Sequence, residues 1–539
     1  VIDATPANPP LDPPALASRR TLRWADAWWP TIAFIAALTA ARLAFLVFFN
    51  PFTLIEDEAH YWEWSRRLGL SYYSKGPGVA WAIAASTGLF GDTEWAVRLP
   101  AVLASAVGSL ACAGLARDIF RDRRVALLAA VAYQCLPGVF VTGLFMTIDG
   151  PYLACWALAS WAGWNALTAR SRFAWPALGL AFAVGFLFKY TMVLFPLGLA
   201  VFALVRRRHL RSAEWPWIGL GLLTALLGVL PIGIWNATNG WPTVRHLLGH
   251  LGLPGGDVPP THHAGEPWRY DPVWTLEFFG LQFAAAGAVF PFVVLGFINK
   301  RKAARRGNAG WRAAGPAYLF ALALPMIAFY LGVSFFTRIE ANWAMAAFVS
   351  LAPAAAWTAL DGLHRGDGPI RFVWGLCLAI LAVMVVGTPV AATLARRDPP
   401  PAAFARLRPI TAFAGQAAAL GERLGAETGL EPAYIAIHYG RASQMAFYLP
   451  GRPVTYAASA HFGDGRRTQY DLWPQTDLAN PEVTERLRGR PAVLFDGTEA
   501  DWRRFFDRVV DLGPLPGEPK KNRPVLLGYG YHGLREARP

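Results

Sequence analysis

Long apolar runs separated by short basic loops fill the chain as far as residue 395. A helix that crosses a bilayer needs about 20 predominantly apolar residues. By that criterion the pattern predicts spans at 28–49, 98–116, 125–143, 148–169, 173–188, 191–205, 217–235, 274–298, 315–335, 343–361 and 372–395, about 11 in all. The pair 173–188 and 191–205 is short and equally compatible with one kinked or re-entrant unit. The apolar stretch 77–90 is too short to span and predicts a helix lying at the interface or dipping into it. After 395 charge rises, Pro and Gly become frequent, and no comparable apolar run remains. There Tyr434-Ile435-Ala436-Ile437 and Ala492-Val493-Leu494-Phe495 predict strands, and 411–428 predicts an amphipathic helix. The expected fold class is a mainly α, polytopic membrane protein with a small α/β C-terminal domain. Its parts are a Pro-rich disordered tail at 1–25, a transmembrane domain at 26–395 with a long loop at 50–97, and the α/β domain at 396–539. No internal repeat of convincing period is visible.

Composition agrees with this picture. The chain is 54% hydrophobic and 16% charged, against roughly 25% charged in a soluble domain. Its 23 Trp and 34 Phe suit the aromatic belts of a membrane protein. The net charge of +14 would suit nucleic acid, but its distribution points elsewhere. With the N-terminus cytoplasmic, the loops at 19–23, 117–124, 170–172, 206–211, 300–312 and 365–371 hold about 21 Lys and Arg, against about 7 in the opposite loops between spans. That is the positive-inside asymmetry, so no nucleic-acid partner is expected. Loop 50–97, the turns at 147–149, 189 and 337–342, loop 236–273 and everything after 395 then face the exterior. Cys112, Cys135, Cys155 and Cys377 lie in apolar stretches and read as buried small residues. No zinc-type Cys/His spacing, phosphate loop or dinucleotide fingerprint is present, and the polar N-terminus does not read as a cleavable signal peptide.

The candidate chemistry gathers on that exterior side. Ile55-Glu56-Asp57-Glu58-Ala59-His60-Tyr61-Trp62-Glu63-Trp64 follows the first span directly. Asp57 there can act as general base toward an acceptor hydroxyl, with Glu56, Glu58 and Glu63 tuning it or helping to hold a divalent ion. The ordinary alternative is a helix N-terminus favoured by acids. Lys75, with Tyr72 beside it, sits in a Gly/Pro-bounded turn and suits a phosphate at headgroup depth, or simply snorkels to the interface. Asp149 opens a span as a plain N-terminal residue or as a second carboxylate of the same site. Lys189 offers a second anion contact. Arg338, Glu340, Asn342 and Trp343 can bind a sugar or a pyrophosphate-like group, or only close a turn. Arg245, His246, His250, His262 and His263 can touch substrate, but their spacing matches no strong metal motif.

Asp57-Glu58 after the first span, Tyr61-Trp62-Glu63-Trp64, Tyr72-Tyr73-Ser74-Lys75-Gly76-Pro77 and Thr147-Ile148-Asp149-Gly150-Pro151 together resemble glycosyltransferase family 39 in its bacterial form. That family includes protein O-mannosyltransferases and the aminoarabinose transferases of lipid A. The segments Tyr439-Gly440-Arg441-Ala442-Ser443-Gln444-Met445-Ala446-Phe447-Tyr448-Leu449-Pro450 and Gln469-Tyr470-Asp471-Leu472-Trp473 are similar to the same subgroup. Gly76 departs from the Ser-Lys-Pro-Pro frequent in relatives and leaves the cation in place.

The resemblance implies a helical glycosyltransferase fold of the C type and an inverting transfer at the exterior face of a bacterial inner membrane. Donor and acceptor would be a polyprenyl-phosphate-linked sugar and lipid A, lipopolysaccharide or another envelope glycan, both met among membrane lipids. Asp57 would be the base, Lys75 the contact to the lipid phosphate, and Asp149 a support for the site or the acceptor. Glu58, Tyr72, Lys189, Arg245, Arg338 and Glu340 complete the expected substrate contacts. No cofactor is required, and a divalent cation is allowed. Transfer to protein Ser or Thr is the alternative within the class. Transport of a lipid-linked sugar is the alternative outside it, although transporters commonly show internal repeats and broken helices near the bilayer midplane.

Overall fold

The computed structural model describes residues 26–168, 170–206, 214–251, 253, 255–257, 270–295, 298, 311–395, 409–462, 465–516 and 523–534. The predicted tail at 1–25, His262, His263 and most of the basic loops at 206–211 and 300–312 lie outside these residues. In chain order the first part runs α1 (Trp29–Ala44, continued by a π-helical turn Phe45–Phe49), α2 (Glu56–Ser65), α3 (Gly78–Phe90), α4 (Glu94–Phe120), α5 (Arg123–Gln134), α6 (Pro137–Thr142), α7 (Asp149–Leu167), α8 (Ala174–Phe188), α9 (Leu194–Arg206), α10 (Trp215–Thr238), α11 (Pro242–His250), α12 (Pro272–Ala286), α13 (Trp311–Val333), α14 (Met345–Arg365) and α15 (Gly368–Ala395). Seven helices among the described residues are long and apolar enough to cross a membrane by length and composition. α4 and α14 are mostly buried at the centre, whereas α1, α10 and α15 turn most of their apolar surface outward, as lipid-facing helices do.

Two regions of the expected span pattern are resolved more finely. The run predicted as 125–143 is not one helix. Leu136 precedes Pro137 and is held extended at φ −72°, ψ 114°, because a residue before proline is disfavoured in the helical region. The segment is therefore broken into α5 and the short α6. The pair 173–188 and 191–205 is two separate helices, α8 and α9, joined by a tight turn. Lys189 breaks the helix at φ −145°, ψ 125°, a 3-10 turn Tyr190–Val193 follows, and the returning α9 brings Leu199 back to Gly163, which Leu178 of α8 also approaches. α10 then runs alongside α8. A Cβ at Gly179 would stand 1.9 Å from the carbonyl oxygen of Gly221, and one at Gly228 would stand 2.2 Å from that of Ala183. Small residues let these backbones touch, which is how helices associate in lipid. The stretch expected at the interface is α3, which buries Val79, Ala80 and Ile83 and exposes Leu89 and Phe90. All four cysteines are free and buried.

The C-terminal part contains α16 (Thr411–Thr428), β1 (Ala433–Ala436), α17 (Tyr439–Tyr448), β2 (Thr455–Ala457), α18 (Pro481–Leu487), β3 (Ala492–Phe495), α19 (Glu499–Trp502), β4 (Phe506–Asp511) and β5 (Val525–Tyr531). The sheet order is β2-β1-β3-β5-β4. β1 pairs in parallel with β2 and β3, with Ile435 opposite Tyr456 and Leu494, while β5 runs antiparallel to β3 and β4. The carboxyl end of β1 leads straight into His438 and Tyr439, the end of a parallel strand where α/β folds place their ligands.

α17 then packs along α2. Gly440 makes this contact close, since a Cβ there would lie 2.5 Å from Cβ of Glu56. The Tyr448 hydroxyl donates to Glu94 at 2.6 Å and accepts from the backbone N–H of Leu54 at 2.6 Å. Gln444 donates to the carbonyl of Leu54 at 2.9 Å, and Arg452 pairs with Asp92 at 2.9 Å. His60 joins the same seam. It accepts from the Trp64 indole at 3.1 Å through Nε2, so Nδ1 carries the proton toward Ser443 at 3.0 Å. Burial pushes this imidazole down to about 3, and it stays neutral.

Candidate active site

α2 starts with three acids in its first turn, Glu56, Asp57 and Glu58, which the positive end of a helix favours. Their fates then diverge. Glu58 turns inward and is fully buried. Arg98 of α4 grips it at 2.8 Å and 2.6 Å, while the backbone N–H groups of Met146 and Ile55 donate to it at 2.8 Å and 3.1 Å. The remaining Arg98 donors reach the carbonyls of Phe52 and Thr53 at 2.8 Å and 2.9 Å. This pair fixes where α2 begins and holds the segment that leads into Asp149. It does not reach substrate space, so the expected substrate role of Glu58 is replaced by a structural one.

Asp57 faces the other way, into a cavity of about 580 Å³. Its surface is open to water, but that water stands between protein walls. Loss of bulk hydration pushes the carboxyl up, and the Tyr439 hydroxyl, which donates to Oδ1 at 3.2 Å, together with nearby Lys75 opposes the rise. Lys75 enters the cavity from a turn closed by the N–H of Tyr72, which donates to its carbonyl at 3.1 Å. Gly76 lets that turn lie against the end of α8, for a Cβ there would meet the Leu187 carbonyl oxygen at 2.2 Å. Burial, and then the charge of Lys189, push the Lys75 ammonium down to about 8. The ammonium has no ion-pair partner among the described residues.

Asp149 opens α7 and is held on both oxygens, by Lys189 at 2.7 Å and by the Asn342 amide at 2.8 Å. Lys189 lines the cavity, yet its charge is spent on Asp149. Glu340 stands at the rim, exposed. His246 and His250 of α11 also line the cavity, with their Nε2 atoms 3.1 Å apart. Burial pushes them down to about 2 and about 4, so both are neutral. Phe188, Val193, Leu194, Phe329 and Tyr330 form an apolar side, to which the apolar helix Ala314–Val333 contributes Phe329 and Tyr330.

Three further expected contacts fall elsewhere. Tyr72 is buried against Trp64, stacked at 4.4 Å between ring centroids, and its hydroxyl serves backbone groups of α2 and the following turn. Arg245 is exposed on α11, one position from His246, which takes the cavity side. Arg338 forms an exposed ion pair with Glu277. The cavity also has a wall that residue-by-residue reading missed. Tyr439, Arg466, Arg467, Thr468 and Gln469 roof it from the C-terminal domain, and Gln469 accepts from the N–H of Tyr73 at 2.6 Å. Only the resemblance of the segments 439–450 and 469–473 signalled that wall. Among the described residues no three His, Cys, Asp or Glu side chains cluster as metal ligands.

The family model for dolichyl-phosphate-mannose-protein mannosyltransferases matches residues 74–235, the stretch that carries Lys75, Asp149 and Lys189. The lipid A galacturonosyltransferase RgtD of Rhizobium johnstonii is 29% identical over 311 residues, covering 57% of this chain and 61% of its own length. An undecaprenyl phosphate-alpha-4-amino-4-deoxy-L-arabinose arabinosyl transferase of Pseudomonas aeruginosa is 35% identical over 170 residues, 30% of this chain and 31% of its own. The crystal structure of ArnT from Cupriavidus metallidurans bound to undecaprenyl phosphate superposes with a TM-score of 0.61 at 18% identity, covering 95% of this chain and 100% of that one. Its apo form gives 0.59 at 17% identity. The resemblance to glycosyltransferase family 39 is borne out. The matches to the two curated relatives span about 61% and 31% of their lengths, and the likeness to ArnT is one of fold: a polytopic helical domain carrying a small C-terminal sheet.

Proposed function

We propose that this chain is an integral-membrane glycosyltransferase that moves a sugar, with inversion, from a polyprenyl-phosphate donor to lipid A, lipopolysaccharide or another envelope acceptor. One observation carries the reading: Asp57, Lys75 and the Lys189 that holds Asp149 line a single cavity, one side of which is apolar and comes in part from a helix long and apolar enough to span a membrane. That apolar side suits the lipid chain of the donor, and the charged residues suit its phosphate. Asp57 removes the acceptor proton as the acceptor oxygen attacks the anomeric carbon. The bond from that carbon to the phosphate oxygen breaks, and the polyprenyl phosphate leaves with the electron pair, steadied by Lys75. Asp149, buried and held on both oxygens, supports the site by fixing Lys189 at the cavity wall. The basic loops support a cytoplasmic N-terminus and a periplasmic C-terminal domain in the bacterial inner membrane. Transfer to protein Ser or Thr is the second reading, favoured by the description of the matching family model.

The test uses purified protein in detergent with radiolabelled undecaprenyl-phosphate sugar and, separately, lipid A or an exterior protein fraction. Labelled glycolipid and free undecaprenyl phosphate should appear in equal amounts, also with EDTA present, since the reading requires no divalent ion. Intact donor with every acceptor, together with passage of donor across a proteoliposome membrane, would establish transport instead.

The same assay has an expected pH profile. The acid limb lies above the ordinary carboxylate range, because Asp57 must be ionised and its carboxyl is raised by burial. The alkaline limb lies at about 8, because Lys75 must be charged and its ammonium is pushed down to about 8. An alkaline limb above 10 would mean that Lys75 does not bear the phosphate.

A further inference from the structure

Arg466 and Lys75 belong to two chain segments joined at one point. The N–H of Tyr73 donates to the side chain of Gln469 at 2.6 Å. Lys75 lies two residues beyond Tyr73, and Arg466 lies three residues before Gln469. The C-terminal segment is itself fixed. Thr468 donates to Asp471 through its N–H at 2.6 Å and its hydroxyl at 3.0 Å. The Tyr470 hydroxyl is buried 3.0 Å from Ser443. Both cations therefore enter the same cavity from opposite domains.

Neither has an ion-pair partner among the described residues. Of the other charged groups facing Lys75, Lys189 is neutralised by Asp149, and Asp57 takes its hydrogen bond from Tyr439. The neighbouring His246 and His250 are neutral, and the charge of Arg466 helps keep them so. Two like charges brought into one walled space repel, and an oxyanion between them relieves the repulsion. The transfer reaction supplies a matching change of charge. The donor is a phosphodiester with one negative charge, and the leaving polyprenyl phosphate is a monoester that gains a second. One cation matches the bound donor, and two match the product as charge develops on it.

We propose that Arg466 of the C-terminal domain is a second phosphate-binding residue of the donor site, closing on the leaving phosphate opposite Lys75. This rests on the glycosyltransferase reading above. It makes the C-terminal domain part of the donor site as well as its cover.

The test measures binding of undecaprenyl phosphate to the full-length protein in detergent, for wild type, Arg466→Ala, Arg466→Lys and Arg338→Ala. Melting temperature and elution profile verify that each variant is folded. Arg466→Ala should weaken binding about tenfold or more, the loss expected of a charge-assisted contact. Arg466→Lys should recover part of it, and Arg338→Ala should match wild type. In transfer assays Arg466→Ala should lower kcat more than it raises the KM for donor, since the second charge exists only as the bond breaks. Wild-type protein that binds no undecaprenyl phosphate would overturn the glycosyltransferase reading itself. If wild type binds and Arg466→Ala binds equally well, or loses only acceptor affinity, the role of Arg466 falls and that reading stands.

Discussion

Asp57→Asn should lower transfer about 10²- to 10⁴-fold, the usual worth of a general base, with insertion and melting temperature unchanged. The side chain keeps its shape and can still accept from Tyr439, as the carboxylate does at 3.2 Å, so little of the packing is disturbed. Donor affinity should hold, because the phosphate contact lies with Lys75. Tyr439→Phe is the companion change. Its hydroxyl holds the Asp57 carboxyl down against the effect of burial, so its removal should raise that carboxyl further and shift the acid limb of the pH profile to higher pH. A fully active Asp57→Asn protein would dismiss Asp57 as the base.

The largest effect on folding should come from Glu58→Gln or Arg98→Met made singly. Both side chains are fully buried, and each satisfies the other along with four backbone groups. Removing one partner leaves a buried charge without its counter-ion, at a cost of about 3–5 kcal/mol. The variants should melt well below wild type in detergent, and what remains folded should be inactive, because Asp57 and Asp149 both lean on this pair. The double variant Glu58→Gln with Arg98→Met should regain part of the stability, since two neutral groups of similar size leave no uncompensated charge. Single variants as stable as wild type would show that the pair is not the anchor described.

Sequence patterns revealed these features unevenly, and the reason is physical. Spans, interfacial helix and C-terminal strands follow from local hydrophobic periodicity, so most lay within a few residues of their expected places. The break at Pro137 was legible in principle and was hidden by the apolar run around it. Asp57, Lys75 and Asp149 stood out because charge at membrane depth is costly and therefore informative. The separation of Asp57 from Glu58 was not legible, because it depends on Arg98, which sits 40 positions away at the start of what reads as an ordinary span. Arg245 and His246 differ only by the phase of α11, set by packing of its buried face. Arg338 reads as a ligand until Glu277, 61 positions earlier, is seen to hold it. Arg466 has no local signal at all, since its place in the cavity comes from the seam between α2 and α17.

The apolar side of the cavity, to which Phe329 and Tyr330 of a helix of spanning length contribute, has a kinetic consequence under the proposed function. A transferase whose donor stays in the bilayer would count that substrate per unit area of membrane and not per volume of water. Its rate then depends on how crowded the leaflet is with donor. Adding inert lipid or detergent would slow it at constant bulk concentration, and two-dimensional diffusion would set the ceiling on its turnover.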